Sequence, residues 1–235
     1  MAMPESARLV KAPQTRRGRG LSMVHYAEGA RWGLEDAYVY VKTQVNYHCR
    51  PATRGWRATP TFAWEKQVLM VCDDLGLNTP RVRAYRCVDG VTELVISDIP
   101  AAEDLPDFYN ASTPQRVDAV LRDLGHLVGI FHDAGWTHGS IAGAHVLVQP
   151  HDRDRVWLID FEKAQRGVRE GNYIRDLRRF FRRSPYLHAA AVDAFMHSYG
   201  SARRLSASTV ARLARTFKRY LQAPMAQIEV AEVNG

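Results

Sequence analysis

The chain has 235 residues, 46 % hydrophobic and 24 % charged, with a formal net charge of +7 and a pI near 9.5. These are globular values, enough for one large domain or two small lobes around a sizeable core. No run approaches the roughly 18 apolar residues of a membrane span, and the basic N-terminus has no apolar signal core. Cys49, Cys72 and Cys87 are too scattered for a disulfide framework or a zinc site, so a reducing cytoplasm is the expected compartment.

Residues 1–14 carry Pro4 and Pro13 and little periodicity, which predicts a mobile tail. Gly18 and Gly20 then stand among Arg16, Arg17 and Arg19, where glycine would let the backbone approach a phosphate; the end of a basic tail is the competing reading. Residues 37–45 alternate as a strand, with Tyr38, Tyr40, Lys42 and Gln44 on one face. A lysine in mid-strand is costly to bury without a partner or a ligand. A helix is expected to open at Pro60, with Thr59 or Thr61 as N-cap and Val68, Leu69, Cys72 and Leu75 as its apolar stripe. Glu65, three and four residues before Val68 and Leu69, shares that inward face and calls for a cation, with Lys42 the obvious candidate. Beyond Gly76, residues 81–88 and 92–96 form two strands around an Asp89-Gly90 turn, and residues 98–106 read as a linker.

Thr113 as N-cap and Pro114 in the first turn begin a long helix, whose apolar face runs from Val117 to Phe131. His126 and His132 on it are expected to be packed histidines. Val146–Val148 and Val156–Ile159 flank a polar turn and predict a hairpin. Its pairing brings His138, Ser140 and His145 near Asp160, a plausible cation site because Mg²⁺ takes few protein ligands. Helices are expected over residues 173–181, 189–199 and 208–221, with arginines concentrated on the first and last. Such patches attract polyanions.

His138-Gly139-Ser140 followed by His145-Val146-Leu147-Val148 resembles the catalytic loop of the bacterial lipopolysaccharide core (Kdo/heptose) kinases, a branch of the protein-kinase-like fold. Residues 158–163, Leu-Ile-Asp-Phe-Glu-Lys, resemble their metal-binding motif, and Asn46 to Pro51 after Lys42 resembles the InaA-like branch. The likeness covers roughly residues 16–183. It implies an α+β, two-lobed fold: an N-lobe of sheet plus helix over 15–97 and a mainly helical C-lobe over 98–235. It further implies ATP and Mg²⁺ as cofactors and phosphoryl transfer to a lipopolysaccharide-core sugar, or another anionic acceptor, at the inner membrane face.

By the same resemblance, Gly18 and Gly20 cover the nucleotide, Lys42 pairs with its phosphates, and Glu65 aligns Lys42. Asp160 holds the metal, and His138, Ser140 and His145 form the catalytic loop. His145 stands where a second metal ligand is usual, and Asp176 braces the loop. Two departures stand out. Ser140 occupies the place of a catalytic Asp, and Tyr40 stands where protein kinases keep a small residue against adenine. A pseudokinase that binds nucleotide or a partner protein without turnover is therefore the main alternative. A basic nucleic-acid binder is a weaker one, because it rests on charge alone.

Overall fold

A computed structural model describes residues 8–16, 19–151, 153–167 and 169–221. Its N-lobe is an antiparallel five-stranded sheet made from β1 (Arg8–Arg16), β2 (Arg19–Glu28), β3 (Tyr38–Val45), β6 (Val82–Val88) and β7 (Val91–Ser97), in the order β1-β2-β3-β7-β6. The two-residue strands β4 (His48–Cys49) and β5 (Thr59–Pro60) pair ahead of helix α1 (Thr61–Asp74). The β6–β7 turn places Asp89 and Gly90 at positive φ, which suits the right-handed twist of a tight hairpin. Val39, Val41, Val95 and Ala27 bury one sheet face under Trp32 and Leu34, while Leu94 and Ile96 on the other face join the core around α1.

The predicted tail is corrected here: residues 8–14 belong to β1. Pro13 spoils the strand pattern, yet β1 is an edge strand and its register shifts between Lys11 and Gln14, where a missing amide costs no ladder bond. Residues 1–7 lie outside the described residues. Helix α1 also differs at its start, since Pro60 itself is the N-cap and no side chain caps the helix.

The expected linker contains order of its own. β8 (Glu103–Asp104) pairs with residues 147–148 of the predicted hairpin, and α2 (Leu105–Ala111) is capped by the Asp104 carboxylate, which accepts from the Asp107 amide. Helix α3 (Pro114–Asp133) starts at Thr113, whose hydroxyl accepts from the Arg116 amide, as predicted. After β9 (Trp136–Thr137) come the hairpin strands β10 (Val146–Gln149) and β11 (Arg155–Leu158), then β12 (Gln165–Arg166), which pairs with β9. Helices α4 (Glu170–Arg182), α5 (Ala189–Ala202) and α6 (Ala207–Leu221) follow in the C-lobe.

Helix α3 lies so close to α5 that a Cβ on Gly125 would stand 2.2 Å from the Phe195 carbonyl oxygen. One hydrophobic core runs from Phe62, Trp64 and Leu94 in the N-lobe to Phe195 and Phe217 in the C-lobe. The Trp64 indole N–H donates to the Ala164 carbonyl at 2.9 Å, so α1 is tied to the segment that follows Asp160.

Candidate active site

Lys42 points from the middle of β3 toward the cleft between the lobes, and its residue is only 8 % exposed. Its ammonium donates to both oxygens of Glu65, at 2.7 and 2.6 Å, and lies 3.9 Å from a Glu162 oxygen. Burial works against its charge, but Glu65, Glu162 and Asp160 outweigh burial and hold Lys42 protonated. Glu65 is pushed up to about 7 by burial, against the downward pull of Lys42 and with a further rise from Glu162 and Asp160. The two partners thus pull the pair in opposite directions. Two carboxylate oxygens closing on one ammonium favour the ionised form.

The loop over residues 138–145 is built around Asp176 of α4. Its carboxylate accepts from the His138 amide at 2.8 Å and the Gly139 amide at 3.0 Å, and Nε2 of His132 lies 3.4 Å away. Burial raises Asp176, but the hydrogen bond and charges around it win and keep it ionised. Gly139 sits at positive φ, and a Cβ there would come within 2.2 Å of the Lys163 carbonyl oxygen, so the loop admits no side chain at this point. Arg179 donates to the Gly139 carbonyl from the same helix as Asp176.

His138 is buried, and burial lowers its pKa, so its ring is neutral. Nε2–H donates to the Ile159 carbonyl at 2.9 Å, which leaves Nδ1 to accept from the Ser140 hydroxyl at 3.3 Å. Both ring nitrogens are thus engaged inside the loop, where His138 braces the backbone just before Asp160. Ser140 is itself only 4 % exposed. His145 donates from Nδ1 to the Ser140 carbonyl at 3.0 Å, and its Nε2 lies 3.3 Å from an Asp160 oxygen. The hairpin therefore brings His145 to Asp160 as predicted.

Asp160 adopts φ +66, a left-handed conformation that aspartate tolerates better than most residues. Burial raises its pKa, but Lys42, His145, His138 and Lys11 together hold the carboxyl below its usual range. Among the described residues no group of three or more His, Cys, Asp or Glu gathers to hold a metal. One ionised carboxylate at a cleft wall, with His145 beside it, could hold Mg²⁺ only as part of a shell completed by other oxygen ligands.

Lys42, Asp160, Glu162, His145, Tyr40 and Lys11 all line one cleft of about 370 Å³. Gly20 is at positive φ with the β3 backbone at the limit of its space, while Gly18 lies outside the described residues. Tyr40 is half-buried beside Tyr26, whose hydroxyl donates to Asp98 at 2.8 Å. Sequence reasoning overlooked Lys11, which it placed in a tail, and the brace that His132 supplies. It placed Glu162 in the metal motif without a part in the Lys42 cluster.

Residues 3–199 match the sequence model of the lipopolysaccharide kinase (Kdo/WaaP) family. A 3-deoxy-D-manno-octulosonic acid kinase of Photobacterium profundum is 30 % identical over 168 residues, 69 % of this chain and 64 % of that protein. One of Vibrio parahaemolyticus is 28 % identical over 148 residues, 60 % of this chain and 55 % of that protein. The chain thus spans less than two thirds of the length of these relatives. A solved structure of WaaP in complex with acyl carrier protein aligns with a TM-score of 0.62 at 16 % identity, covering 90 % of this chain and 89 % of that one. That likeness carries the kinase-like fold, the family match carries the lineage, and the chain belongs to the lipopolysaccharide kinase (Kdo/WaaP) family.

Proposed function

We propose that this chain binds Mg·ATP between its lobes and transfers the γ-phosphoryl group slowly to a sugar hydroxyl of the lipopolysaccharide core. The observation that carries the reading is the Lys42–Glu65 pair, closed at 2.6 Å in the same cleft as Asp160. Phosphoryl transfer asks a protein mainly for positioning and for charges aimed at the phosphates. Lys42 supplies one such charge, and Asp160 with His145 would hold Mg²⁺, which when bound neutralises phosphate charge. Gly20 packs against Val45, Asn46 and Tyr47 at the end of β3, so it adds no support to the phosphate site.

The acceptor class comes from the family and from the relatives named as 3-deoxy-D-manno-octulosonic acid kinases. No helix among the described residues is long and apolar enough to cross a membrane. Exposed arginines on α4 and α6, such as Arg175, Arg178, Arg212 and Arg215, support docking at an anionic inner-membrane surface where such an acceptor would lie.

A second reading, a pseudokinase, is favoured by one observation: Ser140 offers no carboxylate and its buried hydroxyl is committed to His138. The first test is calorimetry of Mg·ATP binding to wild type and Asp160→Asn. Asparagine also tolerates positive φ, so the fold should persist while Mg²⁺-dependent affinity is lost. Unchanged affinity in the variant would remove the metal role. Phosphate transfer from labelled ATP to a lipid-linked octulosonic acid acceptor then separates slow enzyme from pseudokinase.

A further inference from the structure

We propose that Lys11 of β1 is a second phosphate-contacting cation of the nucleotide site, opposite Lys42 across the roof of the cleft. The proposal rests on the nucleotide-binding reading above and adds a residue to it. The argument starts from strand register. Along β1 and β2, Arg8 faces Tyr26 and Leu9 faces His25, so regular pairing would set Val10 against Val24 and Lys11 against Met23. Instead the register slips by one, and Lys11 faces Val24.

That slip decides which face the lysine occupies, because side chains alternate across a strand and a one-residue shift reverses them. Val24 in turn faces Lys42 in β3, and both line the cleft. Lys11, Val24 and Lys42 therefore form one row across three neighbouring strands, all on the cleft face. Two strand spacings put the lysine backbones about 10 Å apart, with a valine between them. Without the bulge, Lys11 would stand on the opposite face of the sheet. Bulges commonly re-aim a side chain beside a functional site.

The surroundings of Lys11 fit a ligand better than a protein partner. It lines the cleft together with Asp160 and Glu162, and its charge acts on both carboxylates. No described carboxylate closes on it as an ion pair, whereas Lys42 is fully engaged by Glu65. An exposed ammonium on a long stem at the cleft roof can reach a bound polyphosphate without the desolvation that Lys42 has already undergone. An exposed edge-strand lysine with no task would need no bulge to turn it inward.

Calorimetric titration of the full chain with Mg·ATP and with adenosine, at low and moderate salt, tests the assignment. Lys11→Met should bind Mg·ATP roughly tenfold more weakly, as expected for one charge-assisted contact, with a shallower salt dependence. Adenosine affinity should stay at the wild-type value, and Lys11→Arg should keep most of the ATP affinity. Lys11→Gln supplies the same comparison if the methionine variant does not fold. Equal ATP affinity in Lys11→Met and wild type overturns the Lys11 assignment alone, as does a parallel loss for adenosine. Wild-type protein that binds no ATP overturns the nucleotide reading and this assignment together.

Discussion

Both carboxylate oxygens of Glu65 close on the Lys42 ammonium, and a second carboxylate, Glu162, waits 3.9 Å from the same nitrogen. Removing one partner of a buried ion pair costs about 3–5 kcal/mol when the remaining charge is left alone. Here it is not left alone. Glu65→Gln should therefore destabilise less than that range, because Glu162 can take over Lys42. Glu162→Gln alone should do little, and the double variant should lose more than the sum. Chemical denaturation of the four proteins measures the coupling, expected at about 1–3 kcal/mol for residues sharing one partner. Additive losses would mean that Glu162 does not serve Lys42.

The histidines that brace the loop over residues 138–145 give a prediction on pH. His132 in α3 has a lowered pKa, chiefly because it is buried, and its neutral ring accepts from the Tyr199 hydroxyl at 2.9 Å and donates toward Asp176. His138 is lowered for the same first reason. Between the depressed folded values and the unfolded value of 6.5, the unfolded chain binds more protons. Stability therefore falls as pH drops through that window, by at most about 1.4 kcal/mol per pH unit for each histidine. Glu162 acts the other way, since a raised folded value takes up a proton before the unfolded chain does. A comparison isolates the histidine. His132→Gln keeps hydrogen-bonding groups but cannot protonate, so its loss of stability on acidification should be shallower than wild type by up to that amount. Identical slopes in urea titrations from pH 7 to pH 5 would contradict the assignment.

How far the sequence reveals this site depends on the range of the signal. Lys42 and Glu65 are legible because each sits in a regular element, and period-two and helical phases alone turn them toward each other. Asp160 and His145 are legible through the hairpin, whose closure needs only two apolar runs and a polar turn. Lys11 is not, because its face is set by a bulge that leaves no local mark and its strand contains Pro13. Glu162 carries no periodic signal, lying beyond the strand in a loop positioned by Trp64 and Gln44 from the other lobe. The brace by His132 joins three helices distant in the chain, so only Asp176, carried by the family pattern, could be named in advance.

Ser140 gives the prediction that separates enzyme from pseudokinase. By the proposed reading it would hold the place from which a carboxylate orients an acceptor hydroxyl and takes its proton, and a serine hydroxyl cannot act as that base. Loss of a general base typically costs about 10²–10⁴-fold in rate and leaves nucleotide binding intact. Wild-type protein should therefore bind Mg·ATP measurably while transfer or hydrolysis is very slow or absent. Ser140→Asp should gain rate. It replaces a hydroxyl that donates to His138 with a carboxylate that cannot, so some loss of thermal stability should accompany the gain. The gain should appear in turnover and not in ATP affinity, because the proposed nucleotide contacts at Lys42, Lys11 and Asp160 are unchanged. Fast wild-type transfer that Ser140→Asp does not improve would place the proton on another group of the cleft. Glu162 is the first candidate, since burial raises its pKa and it already lies beside Lys42.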